Sequence, residues 1–425
     1  MSAHGAYANL ALADVLSDRG LDARDAGFAT ELLYGTCRRL GGYDQVITAA
    51  SGRSDLQPDV LDVLRLGAHQ LLGMRVADHA AVAATVNLAG SAVGERVAGL
   101  VNAVLRKVAA HTWDQWVDQL TAGLDPTDAL AVRTSHPRWI VDAYAAVLPA
   151  DEVPAALAAD NVAPVVTLAV RPGIGTIDEL VAAGGERGRW SPYAVSWPGD
   201  PGDLPAVRAG RVGVQDEGSQ LVALALARAV EATGARWWLD LCAGPGGKAA
   251  LLTGLAAEQS IRLLAAERRP HRAALVRSAL RGYRERPVVV ADATRRAWPS
   301  EAFGKVIADV PCTGLGALRR RPEARWRRSV DDLTELVPLQ RALLDTALAS
   351  VRPGGVVAYV TCSPHLAETT GVVDPVLAAR PDVTAIDAAA LLPEVPQAAR
   401  GPYLQLWPHR HGTDAMFCAL LRRAG

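Results

Sequence analysis

The chain has 425 residues, half of them hydrophobic, and a formal net charge of −1. This length exceeds the ~250–300 residues at which a single core stops growing, so more than one domain is expected. No apolar run reaches the ~18 residues of a membrane span, no basic-then-apolar leader opens the chain, and five widely spaced cysteines argue against a disulfide framework; a reducing cytoplasm is expected.

In chain order, residues 1–135 read as an all-α bundle. Apolar residues recur at three- and four-residue steps, as in Val60, Val63, Leu64 and Leu71. Helices are predicted over 30–39, 60–72 and 79–89, and another closes over 101–107. Ser135-His136-Pro137 breaks the pattern. Residues 136–210 read as a small mixed α/β connecting module, with a helix over 139–148, a strand over 165–170 and a Gly/Pro-rich stretch at 198–202. From 211 to 425 strand and helix alternate. Strands are predicted at 237–241, 261–266, 288–291, 305–308, 356–360 and 416–421, and helices at 220–230, 248–255, 271–282 and 333–351. This alternation predicts a doubly wound, Rossmann-like α/β domain with a mostly parallel sheet.

The loop Cys242-Ala243-Gly244-Pro245-Gly246-Gly247-Lys248 joins the first of these strands to a helix. Its glycines permit close backbone approach, and the helix start offers free N–H groups to an anion. It is not a phosphate-binding Walker loop: Cys242 stands where that pattern needs glycine and Ala249 where it needs Ser or Thr. Glu267, Asp292 and Asp309 end the following strands. Acids at successive strand tips can hold ribose hydroxyls, the usual arrangement around S-adenosylmethionine. The expected cofactor set is therefore residues 242–248 with Glu267, Asp292 and Asp309. Lysine occurs only at 107, 248 and 305, which singles out Lys248 at the end of the loop. No Cys-x-x-Cys or histidine cluster suggests a metal site.

Two further cysteines stand at strand ends, Cys312 in Asp309-Val310-Pro311-Cys312-Thr313-Gly314-Leu315-Gly316 and Cys362 in Thr361-Cys362-Ser363-Pro364. A lone cysteine is usually a small buried hydrophobe, the reading for the side chains of Cys37, Cys242 and Cys418. Two thiols at the tips of strands facing one crevice point instead to nucleophilic chemistry. Carbon 5 of a pyrimidine is a poor nucleophile until a thiolate adds to carbon 6, so a cofactor loop plus two thiols suggests methyl transfer by covalent catalysis. Asp309 is placed to hydrogen-bond ring nitrogen 3. After the Cys312 loop, Arg319, Arg320, Arg321, Arg325, Arg327 and Arg328 crowd around Pro322 and Trp326. Arg319, Arg320, Arg321, Arg325 and Trp326 are the candidate RNA contacts, guanidinium groups for phosphates and an indole for a base.

The segments Leu239 through Lys248, Asp309 through Gly316, Arg320-Arg321-Pro322-Glu323 and Thr361-Cys362-Ser363 resemble the RsmB/NOP group of RNA cytosine-5 methyltransferases. The resemblance covers almost the whole chain. Ala6-Tyr7-Ala8-Asn9-Leu10, Ala29 through Gly35, His79-Ala80-Ala81-Val82 and Val101 through Arg106 resemble the NusB-type RNA-binding domain of the RsmB (Sun) proteins. Residues 215–220 and 411–417 also match RsmB-like segments. The resemblance implies a class I methyltransferase domain, S-adenosylmethionine as cofactor, and 16S ribosomal RNA as substrate. It implies Cys362 as the nucleophile and Cys312 as the thiol that promotes product release. The chain departs from the family at Glu267, where aspartate is usual, at Ala249, where threonine is usual, and at Ala415-Met416, where Gly-Phe is commoner. It also begins almost on the 6–10 segment, which the family usually precedes with another helix. A transfer-RNA cytosine-5 methyltransferase and a non-catalytic RNA-binding or assembly factor share parts of this pattern. No membrane or metal partner is expected, and no protein partner is indicated.

Overall fold

The computed structural model describes residues 12, 15–16, 18 and 20–425; the 6–10 segment lies outside them. The chain divides into two compact units, one of Met1–Val162 with Leu318–Ser329 and one of Ala163–Ala317 with Val330–Gly425. No helix among the described residues is long and apolar enough to cross a membrane.

The first unit is helical: α1 Ala23–Ser51, α2 Pro58–Leu72, α3 Asp78–Ala92, α4 Glu95–Val108, α5 Trp113–Thr121, α6 Pro126–Thr134, α7 Arg138–Ala145 and α8 Val153–Ala159. Local chemistry sets the ends. The Asp22 carboxylate caps α1 through the Asp25 N–H and Gly52 in the left-handed region stops it. Thr112 and Gln115 form a reciprocal capping box on α5. Tyr43, Ile47, Val60, Leu64, Val101, Leu105 and Trp116 make the core.

The stretch 318–329 belongs to this unit although it follows the Cys312 loop in sequence. Arg325 is wholly buried, donating to the carbonyls of Arg38, Ser135 and Asp160 and, at 2.7 Å, to Asn161 Oδ1. Trp326 Nε1 donates to the Cys37 carbonyl at 2.7 Å. Two expectations are corrected here. The helical region runs on past 135 through α7 and α8. Arg325, Trp326 and the buried Arg319 are interior or half-buried groups rather than RNA contacts. Both terminal nitrogens of the buried Arg325 guanidinium are committed to these interior oxygens, which leaves no exposed donor fork for a phosphate. Arg320 and Arg321 are exposed.

The second unit holds two sheets. β1 Val166–Val170, β2 Glu186–Arg187, β3 Ala194–Trp197 and β4 Val212–Val214 form an antiparallel four-stranded sheet in the order β2-β3-β1-β4, with helix α9 Ile177–Ala182. Then follow α10 Glu217–Arg228, β5 Trp237–Asp240, α11 Gly247–Ala257, β6 Arg262–Glu267, α12 Pro270–Ala279, β7 Val288–Val290, β8 Phe303–Asp309, α13 Leu333–Ser350, β9 Val351–Thr361, α14 Thr370–Ala379, β10 Val383–Ile386, β11 Ala399–Arg400, β12 Tyr403–Gln405 and β13 Phe417–Arg423. The nine-stranded sheet runs β11-β12-β13-β9-β8-β5-β6-β7, with β10 also on β13. β9, β8, β5, β6 and β7 are parallel and β13 is antiparallel to β9. The core strands are nearly continuous apolar runs, as strands covered on both faces must be. The chain moves outward from β5 to β7, then returns to β8 beside β5. That reversal opens a crevice at the carboxyl ends of β5 and β8.

Candidate active site

Three loops leave the carboxyl ends of β5, β8 and β9 and carry the polar side chains of the site. The β5 loop is shaped by Gly244. A Cβ there would lie 2.2 Å from Glu267 Oε2, and its absence lets the Gly244 N–H reach that oxygen at 3.1 Å. The other Glu267 oxygen accepts from the Arg269 N–H at 2.9 Å. Arg272 donates to the Gly244 carbonyl at 2.6 Å, so β6 and α12 fix the loop from the side. Asp292, beyond β7, accepts from both the N–H and hydroxyl of Thr294 and stands 3.6 Å from Arg268. Those two bonds hold its carboxyl below the usual range.

Asp240, at the end of β5, is a site residue that the sequence reading passed over. One oxygen accepts from the Cys242 N–H at 3.3 Å, and the other is buried with no partner. Burial, and then repulsion from Asp309, push its carboxyl up to about 8. The cofactor suggested by the sequence fits this lining. Carboxylates at the tips of β5, β6 and β7 suit ribose hydroxyls and a cationic tail, Asp240 has an acceptor in reserve, and the α11 start suits a carboxylate. Cys242 contributes backbone, and burial pushes its thiol well up.

On the other side of the crevice, β8 and β9 are hydrogen-bonded neighbours, with Asp309 opposite Val360. That pairing brings Cys312 and Cys362 together, with Sγ atoms 3.5 Å apart. Gly316 permits the close fit. Its N–H donates to the Cys362 carbonyl at 2.8 Å, its carbonyl accepts from the Ala415 N–H at 2.8 Å, and a Cβ would lie 2.0 Å from the Ala415 oxygen. Lys248, from the glycine loop, donates to Asp309 at 2.9 Å. Burial works against its charge, but the Asp309 carboxylate overrides this and raises it.

The two thiols are not equivalent. Cys362 is lowered first by the hydrogen bond from Cys312; burial and Asp309 oppose this, and the Lys248 ammonium adds to it. Cys312 is pushed well up by the same bond, by burial, and by the charges of Cys362, Glu368 and Asp309. The pair therefore favours a Cys362 thiolate accepting from a Cys312 S–H. Such a thiolate beside a free crevice can attack an electrophilic ring carbon.

Beneath the pair lies a second group absent from the sequence reading. Glu368 is fully buried. It accepts from the Thr313 N–H at 2.8 Å, the Thr313 hydroxyl, and Gln340 Nε2 at 3.0 Å. Gln340 also donates to the Pro311 carbonyl at 2.9 Å, and the Tyr359 hydroxyl donates to the Glu368 carbonyl at 2.8 Å. Strand-end position announced Asp240 as plainly as it announced Asp309. Glu368 and Gln340 sit in helical segments, and no spacing connects them.

Residues 227–422 match the family described as 16S rRNA methyltransferase RsmB/F, and residues 1–110 match the NusB family. The Mycobacterium tuberculosis (strain H37Rv) protein Rv1407, whose methyltransferase assignment is provisional, is 52% identical over 100% of this chain and 94% of its own length. The ribosomal RNA small subunit methyltransferase B of Pseudomonas putida is 32% identical over 87% of this chain and 85% of its own. Among solved structures, PH0851 superposes with a TM-score of 0.81 at 22% identity, covering 96% of this chain and 93% of that one. NSun6 from Pyrococcus horikoshii, solved with SFG, gives 0.57 at 16% identity over 68% of this chain and 98% of its own. These last two likenesses concern the fold.

Proposed function

The chain belongs to the 16S rRNA methyltransferase RsmB/F family, and from that membership we propose that it forms 5-methylcytosine in 16S ribosomal RNA through a covalent adduct of Cys362. It is an S-adenosylmethionine-dependent RNA methyltransferase; the cofactor supplies a methyl group on a sulfonium, open to a carbon nucleophile. Residues 242–248 with Asp240, Glu267 and Asp292 would hold it. The observation that carries the covalent reading is the pair of thiols 3.5 Å apart, with Lys248 favouring a thiolate at Cys362.

In the proposed reaction, Cys362 Sγ forms a bond to carbon 6 of the cytosine, and the displaced electron pair makes carbon 5 nucleophilic. Asp309, held by Lys248, orients the base at ring nitrogen 3. Once carbon 5 has bonded to the methyl group, its proton passes to a water molecule, the C–H electron pair returns to the ring, and the bond to Cys362 breaks with the sulfur leaving as thiolate. Cys312, adjacent to that sulfur, serves the elimination. RNA of this kind is met in the cytoplasm, where the free cysteines would stay reduced.

Cys362→Ser should abolish methylation and leave no RNA adduct. Cys312→Ala should still attack and then accumulate a denaturant-resistant protein–RNA complex, seen as a shifted band on a denaturing gel. Trapping in the Cys362 variant instead would reverse the two roles. Bisulfite sequencing of ribosomal and transfer RNA, with and without the protein, reads the substrate; methylation confined to transfer RNA would overturn the ribosomal assignment.

A further inference from the structure

Glu368 is a carboxylate with no exposed surface and, among the described residues, no ion-pair partner. Its hydrogen bonds come from neutral groups: the backbone and hydroxyl of Thr313 and the amide of Gln340. Burying a charge without a counter-ion is unfavourable, and a glutamine of the same shape would keep one oxygen to accept from the Thr313 N–H and Gln340 while its amide nitrogen donated toward the Thr313 hydroxyl. A charge retained there has an effect on whatever lies nearest. The residue it grips, Thr313, directly follows Cys312, and Gln340 grips Pro311, which directly precedes it. Glu368 thus holds the peptide on both sides of the Cys312 thiol. Ser363, next to Cys362, is tied to the same cluster through Thr313 Oγ1 at 3.2 Å.

The charges around the thiol pair divide accordingly. Lys248 acts on Cys362 and Glu368 on Cys312, while Asp309 opposes ionisation of both and Asp414 that of Cys362. His365 also faces Glu368, and burial holds its imidazole below its ordinary value, so it supplies no fixed cation. We propose that Glu368 is a positioning residue that assigns roles within the thiol pair: it fixes the Cys312 loop against Cys362 and, by its buried charge, confines the negative charge of the pair to Cys362. This deepens the covalent reading above and rests on it. A thiol kept protonated beside the nucleophile remains an S–H donor, and the competing adduct through Cys312 is suppressed.

The test is alkylation of the full-length protein by iodoacetamide from about pH 6 to about pH 9, with each cysteine followed by peptide mass spectrometry. In the unaltered protein Cys362 should react first and at lower pH than Cys312. Glu368→Gln should speed Cys312 alkylation about tenfold at neutral pH, one pKa unit of relief, and shift the Cys362 profile upward. Glu368→Asp, which keeps the charge, should restore the original order. Prior reaction at Cys312 in the unaltered protein would overturn the proposal, whether or not any variant folds. So would a folded Glu368→Gln protein whose Cys312 rate is unchanged. No RNA or cofactor enters this measurement, so it stands or falls separately from the choice of base and substrate. Loss of the covalent RNA adduct with the alkylation order intact would overturn only the reaction proposed above.

Discussion

At the scale of single residues, charge placed out of water governs this site. Asp240 is the clearest case because its carboxyl is pushed up to about 8 while an unfolded aspartate titrates near ~3.9. Between those values the unfolded chain releases a proton that the folded chain keeps. Stability of the cofactor-free protein should therefore decline as pH rises from about 4 to about 8, by an order of a few kcal/mol, and then level off. Asp240→Asn keeps the acceptor for the Cys242 N–H and removes the titration. Thermal unfolding across that window should show the variant gaining on the parent as pH rises. Parallel curves would mean that Asp240 stays ionised in the fold. At the strand tips that bind cofactor, Glu267→Ala should weaken S-adenosylmethionine affinity about tenfold or more, read by calorimetry; unchanged affinity would remove it from the site.

At the scale of elements, what the sequence made legible was periodicity and punctuation. The parallel strands β5, β6, β7, β8 and β9 were visible as apolar runs with an acid or a cysteine at the tip, and the long helices as three- and four-residue repeats. Cys312 and Cys362 lie 50 residues apart, and their contact follows once β8 and β9 are neighbours. Two kinds of feature were not legible. The short strands β10 to β12 are defined by partners distant in sequence, and two- to four-residue pairings carry no period of their own. The arginine-rich stretch was misread because composition reports charge and not burial. A guanidinium answered by four acceptors sits stably inside, and nothing local announces those acceptors. Trp326→Ala should show this directly: loss of a large packed side chain and its bond to the Cys37 carbonyl should lower stability by about 3 kcal/mol, measured by denaturant unfolding. A change within about 0.5 kcal/mol would return Trp326 to the surface.

At the scale of the whole molecule, a net charge of −1 leaves RNA attraction to local groups. Arg320 and Arg321 are exposed, between the buried Arg319 and the buried Arg325. Replacing both with glutamine should weaken RNA binding and flatten the slope of log affinity against log salt by roughly 1–2, with cofactor affinity unchanged; an unaltered slope would place the phosphate contacts elsewhere. The excursion of 318–329 has a consequence for how such a protein can be taken apart or assembled. The chain passes from one unit to the other at 162/163, 317/318 and 329/330, so neither unit is a single contiguous segment. A fragment ending at Val162 would carry the helices and lack Arg325, leaving the carbonyls of Arg38, Ser135 and Asp160 without their donor. A gene cut at that boundary would yield neither half intact. Exchanging the helical module for another by recombination would require a second, matching exchange far downstream, beside the Cys312 loop, so the two units are constrained to be inherited, and to vary, together.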